Sequence, residues 1–129
     1  MAALADRLAT VLAEVLAVDA EPDGALTVRH DGTLASLRVV PIAEDLELVS
    51  LTQILGWDLP LTKALRKRAA EQASLSQLGT VTLVEKDTKS ADVMLRYNFP
   101  GSGLTDDALR TLVLLVLTKG VDIRDVLNA

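Results

Sequence analysis

The chain of 129 residues contains a single histidine, His30, and no cysteine. A histidine serves as a general base only when a second group orients it and a nucleophile lies within reach. His30 borders Asp31-Gly32, a turn dipeptide, and its position suggests neither partner, so it reads as a solvated turn residue. The absence of cysteine excludes a thiolate zinc site, an iron–sulfur site, a cysteine nucleophile and a disulfide framework. Asp19, Glu21, Asp23 and Gly24 reproduce the opening D-x-E-x-D-G of a calcium loop. That loop needs a bidentate carboxylate at its twelfth position, and His30 falls there. Pro22 and the strand-prone residues 25 to 30 also argue for a plain acidic turn. Gly101-Ser102-Gly103 precedes a helix, as anion sites do. Neither GxxxxGK[ST] nor GxGxxG is present, and Asp106 and Asp107 would repel a phosphate. The serines lack a G-x-S-x-G elbow. The other carboxylates are scattered, as in Glu44, Asp45 and Glu47 or in Glu85, Asp87 and Asp92. No catalytic constellation, metal site or cofactor site is expected, and the chain does not read as an enzyme.

What the residues offer instead is charge and apolar surface. Lys63, Arg66, Lys67 and Arg68 give residues 59–72 a net charge of +3, against −8 for the rest of the chain. Such a dipolar layout can steer an acidic partner, although a solvated helix face has the same composition. The whole chain carries −5 with a sequence pI near 4.7. Nucleic-acid binding draws its affinity from phosphate neutralisation, so this acidity argues against it. The three aromatic residues, Trp57, Tyr97 and Phe99, are too few for a base-stacking platform. Leu occurs 25 times, so the core must be aliphatic. The half-hydrophobic composition excludes disorder, and the length fits one domain. The first 16 residues are interrupted by Asp6, Arg7 and Glu14 and do not read as a secretory signal. The longest aliphatic run, Leu112 to Leu117, is far short of the roughly 20 residues of a membrane span. A soluble cytoplasmic protein without membrane or nucleic-acid partners is expected.

The elements follow from periodicity. Leu4, Leu8, Leu12 and Leu16, with Val11 and Val15, mark a helix over 3–17. Residues 25–30 and 33–40 flank Asp31-Gly32, a two-residue hairpin signal, because a type I′ turn needs positive φ at both positions. Residues 46–55 read as a third strand with aliphatics on both faces. Asp58 and Pro60 suggest the start of a second helix running to about Leu75. Residues 80–85 and 91–99 give two more strands, the latter with Val93, Leu95, Tyr97 and Phe99 on one face and Met94, Arg96 and Asn98 on the other. Thr105 caps a third helix over 106–119, with Gly120 expected at its C-terminal cap and Asp122 opening a final short turn. The order αβββαββα predicts a single α+β domain, 1–129, with an antiparallel sheet packed by helices.

Three stretches carry a family resemblance. Gly79 to Leu127 (GTVTLVEKDTKSADVMLRYNFPGSGLTDDALRTLVLLVLTKGVDIRDVL), Leu46 to Glu71 and Thr27 to Val40 resemble the actinobacterial branch of the YbjN-like family, grouped in fold with type III secretion chaperones of the CesT kind. The resemblance implies a small acidic αβββαββα protein, commonly a dimer, that holds a non-globular client segment on apolar patches. It implies no catalytic residues.

The expected function is therefore a non-enzymatic, chaperone-like domain that binds a protein or peptide client. The third strand supplies the candidate contacts, Val49, Leu51 and Leu55 on one face or Leu48 and Ile54 on the other. Trp57 reads as a core plug or as an interface anchor. The alternative is a small-molecule sensor with its pocket between the sheet and the last helix. The nearly all-apolar third helix suggests burial against a second copy, and a homodimer is expected.

Overall fold

In the computed structural model, which describes residues 3–128, the Asp31-Gly32 turn forms as its residue types require. Asp31 and Gly32 adopt φ of 47° and 80°, and His30 pairs with Thr33 across them. The turn joins β2 (Leu26–His30) to β3 (Thr33–Ala43). Around this hairpin lie α1 (Leu4–Ala13), β1 (Ala17–Ala20), β4 (Leu46–Pro60), α2 (Lys63–Leu75), β5 (Thr80–Glu85), β6 (Ser90–Pro100) and α3 (Asp106–Leu127). The strands form one antiparallel sheet in the order β1-β2-β3-β4-β6-β5. The domain is α+β, as expected, with β1 as one strand more than the sequence suggested.

The helices pack side by side on one face of the sheet, α3 between α1 and α2 and lying over β4. Strand alternation then sorts every side chain. Val49, Leu51, Gln53 and Leu55 of β4 point to the helices and are buried, while Leu48, Ser50, Thr52 and Ile54 point away and are only partly covered. In β6, Val93, Leu95 and Phe99 are buried and Tyr97 packs beside them. Leu8, Leu12, Leu51, Leu95, Leu109 and Leu117 form the aliphatic centre. Flanked by α1 and α2, α3 spends most of its apolar circumference inside the chain. Leu115 and Val126 are the large apolar residues it leaves exposed.

Three boundaries differ from the periodicity reading. The α1 helix stops at Ala13, and Ala17–Ala20 instead pairs with Ala20↔Leu26 through Ala17↔Arg29. Sheet hydrogen bonds thus override the continuing leucine stripe, and Leu16 and Val18 still pack against the core from the strand side. Asp58 does not cap α2. Strand β4 runs on to Pro60, opposite Ser90, and the cap is Thr62, whose hydroxyl accepts the Leu65 N–H at 3.0 Å. Finally, α3 does not stop at Gly120 but continues to Leu127. Gly120 sits against β4, where a Cβ would lie 1.8 Å from Gln53 Oε1. Glycine is there for close approach, not to end the helix.

Candidate interaction surface

The sheet face without helices is built from four cross-strand rows. Leu34, Ile54 and Met94 are in register, with Thr82 beyond them on β5. Ser36, Thr52, Arg96 and Thr80 form the next row, and Arg38, Ser50 and Asn98 the third. Val40, Leu48 and Pro100 close the series. Rows are two residues apart along each strand, so the first and last lie about 20 Å apart. The face therefore presents two apolar bands separated by a polar one. Leu34 and Val40 are 40% and 38% exposed, and Ile54, Met94 and Leu48 are half-buried by their neighbours. The bands continue onto the β3–β4 hairpin, where Ile42 and Leu46 are exposed.

Charges on this face are unequally satisfied. Arg29 pairs with Asp19 at 2.6 Å and Arg38 with Asp23 at 2.5 Å. The Arg38 hydrogen bond holds the Asp23 carboxyl below its usual range, helped by the Ala25 N–H. Arg96, exposed in the polar band, pairs with no carboxylate among the described residues.

At the end of β4 the strand departs from regular pairing twice, between Ile54 and Gly56 and between Gly56 and Leu59. Bulges of this kind re-aim side chains. Asp58 takes φ of 50°, and its N–H donates to the buried Asp92 carboxylate at 2.8 Å. Lys86 Nζ donates to Asp58 at 2.6 Å and lies 3.7 Å from Asp92, and the Asp58 contact raises its pKa. Beside this network Trp57 is 58% exposed. It is not a core plug.

The other sequence candidates divide clearly. Val49, Leu51 and Leu55, the first choice for client contact, lie under the helices with exposures of 0%, 0% and 3%. The helix layer makes them core, so the uncovered positions of β4 are Leu48 and Ile54. Leu34, Val40, Met94 and Arg96 were not singled out. Their alternation along β3 and β6 is legible, but joining them across β4 requires a register that the sequence does not state.

In the acidic turn, Asp19 and Asp23 are spent on Arg29 and Arg38, and Glu21 accepts the Thr27 hydroxyl at 2.9 Å. Among the described residues no cluster of acidic or histidine side chains could hold a metal ion. Near Gly101–Gly103 the Ser102 hydroxyl accepts the Glu47 N–H at 2.9 Å. The α3 N-terminus is already served by the Thr105 side chain, and its Asp106 and Asp107 pair with Arg7 and Arg110. In the basic cluster, Arg66 pairs with Glu85, Lys67 lies 4.0 Å from Glu71 and Arg68 reaches the Leu127 carbonyl at 3.5 Å. His30 is half-exposed, and its carbonyl accepts the Thr33 hydroxyl. A cleft of about 420 Å³ lies between α2 and α3, lined by Gln72, Leu75, Leu78, Lys119, Asp122 and Ile123 among others. It is at the helical rim, not between α3 and the sheet. No helix among the described residues is long and apolar enough to cross a membrane. Comparison with protein-family models, curated proteins and solved structures gives no match.

Proposed function

We propose that this chain is a polypeptide-binding domain that acts by non-covalent capture, in the manner of a chaperone or adaptor. The observation that carries this reading is the one-sided helix layer. It leaves the Leu34–Ile54–Met94 and Val40–Leu48–Pro100 bands without a helix over them on a sheet whose other face carries the core. Exposed apolar side chains gathered in bands and framed by polar groups are a feature of interaction sites. Compact ligands take concave pockets, whereas this face offers rows of side chains spread over about 20 Å along the strands, which suits an extended segment. The test is capture from a lysate of the encoding organism with the full chain as bait, beside Leu34→Glu and Val40→Glu baits. Both side chains lie on the face without helices, so both variants are expected to fold, which circular dichroism checks before capture. Stoichiometric polypeptides held by the wild type and lost with both variants support the reading. Equal capture by all three baits overturns it.

The small-molecule alternative has one observation in its favour. The α2–α3 cleft, at about 420 Å³, is within the size range of ligand sites, and Leu75 beside it is 71% exposed. It predicts a rise in melting temperature with some member of a broad metabolite set, because a ligand of the folded state stabilises it by mass action. A flat screen rejects it.

A further inference from the structure

The charge pattern of the open face narrows its occupant. The two central rows hold Arg38 and Arg96 on β3 and β6, and the carboxylate in them, Asp19 at the β1 edge, is taken up by Arg29, within a chain of net charge −5. Arg38 is engaged by Asp23, and Arg96 is engaged by no acid among the described residues. A second copy stacked face to face by a two-fold axis would bring residues near the axis against themselves. That arrangement opposes guanidinium to guanidinium in a dehydrated centre, which is costly. A foreign segment bearing a carboxylate meets the same centre with a charge-assisted, bidentate bond. The apolar bands fix the rest. They are about 20 Å apart, and an extended chain advances about 3.3 Å per residue, so one segment reaches both with residues about six positions apart.

We propose that the open face recognises an acidic, extended segment of a partner polypeptide, with two apolar residues about six positions apart and Asp or Glu between them. One apolar side chain rests on Leu34, Ile54 and Met94, the other on Val40 and Leu48, and the carboxylate meets Arg96. The hydroxyls of Ser50, Thr52 and Thr80 flank that contact. This proposal rests on the reading of the face as a polypeptide-binding surface and adds the chemistry of the partner.

The experiment is selection from a displayed library of random twelve-residue peptides, with the full-length chain as bait and Arg96→Glu and Leu34→Glu variants in parallel. Wild type is expected to enrich acidic peptides with the stated spacing. The Arg96→Glu bait should bind those peptides about tenfold or more weakly and enrich Lys- or Arg-bearing ones instead. Peptides that lose binding with Leu34→Glu but show no acidic preference, or that bind Arg96→Glu unchanged, overturn the inference and leave the open-face reading standing. Peptides insensitive to Leu34→Glu, or no enrichment at all, overturn both.

Discussion

Gly120→Ala is the substitution on which the packing argument can be judged most sharply. In an exposed helix this change stabilises by about 1 kcal/mol through propensity. Here the added methyl would stand 1.8 Å from Gln53 Oε1 and 2.5 Å from its Cδ. A flexible amide could swing aside on a surface, but Gln53 is 0% exposed and is held by two bonds. Its Nε2 donates to Thr33 Oγ1 at 3.0 Å and to the Leu117 carbonyl at 3.1 Å. Moving it breaks both and strands a buried amide, at about 1–3 kcal/mol for each unsatisfied group. Forcing a methyl into a filled interior adds about 1–3 kcal/mol. The net expectation is a destabilisation of about 2–4 kcal/mol, or a melting temperature lower by about 10 °C or more. The assay is urea unfolding followed by far-ultraviolet circular dichroism, because the sole tryptophan is already solvent-exposed and is a weak reporter. Gln53→Ala should couple to Gly120→Ala, with the double variant more stable than the sum by about 2 kcal/mol. A stabilised Gly120→Ala, or additive single effects, would refute the close approach of α3 to β4.

The remaining expectations concern faces and pH. Val49→Asp buries an unpaired carboxylate under the helices and should abolish cooperative folding, whereas Leu34→Glu, on the other face, should cost only about 1 kcal/mol and leave folding cooperative. Thermal melts of both variants decide this, and equal behaviour would reject the assignment of faces. Asp87 accepts the Lys89 and Ser90 N–H groups at 2.7 and 2.8 Å, which lowers its pKa below 3.8. Asp23 is lowered by Arg38. A carboxyl depressed in the fold contributes stability above its unfolded pKa and loses it as the pH falls through the folded value. Stability should therefore drop below about pH 4, and Asp87→Ala should flatten that limb of the melting profile. Lys86, raised above 10.5 by Asp58, contributes fully below that value, and its share is lost as the pH climbs through the folded pKa. Asp58→Asn, which suits the positive φ at this position, should reduce this alkaline loss, with Asp92 keeping a smaller share.

How far the sequence revealed this molecule depended on whether the deciding interaction was local. Asp31-Gly32 and Thr105 are local chemistry, and the turn and the α3 cap formed where those residues stand. The alternation in β6 correctly divided Val93, Leu95 and Phe99 from Met94, Arg96 and Asn98. What failed was non-local. Leu16 extends a helical stripe, yet pairing with β2 claims the next residues as a strand. Gly120 carries a stop signal, but Gln53, 67 positions earlier, is what it exists to admit. Strand β4 shows aliphatics on both faces. Only the positions of three helices, two of them distant in sequence, decide that Val49, Leu51 and Leu55 are core while Leu48 and Ile54 are surface. The open sheet face was harder still, because its bands exist only once β3, β4 and β6 are in register.

The same register bears on self-association and gives a final test. The polar rows split what would otherwise be one apolar surface, and a cation at the centre makes stacking of identical faces unfavourable. Replacing Arg96 by Leu and Ser50 by Val should join the Leu34–Ile54–Met94 band to the Val40–Leu48–Pro100 band across β4 and β6. Neither substitution touches the helix-covered face, so folding should be retained, and β-branched Val suits a strand. The merged patch would be contiguous from one band to the other, and large contiguous apolar patches are the ones that drive association. Light scattering at about 100 μM should then show a mass for the double variant well above that of the wild type under the same conditions. Adding Arg at Thr52, directly across from position 96, should reverse the gain by restoring a central charge. An unchanged mass for the double variant, with its fold intact by circular dichroism, would show that the polar rows do not govern self-association.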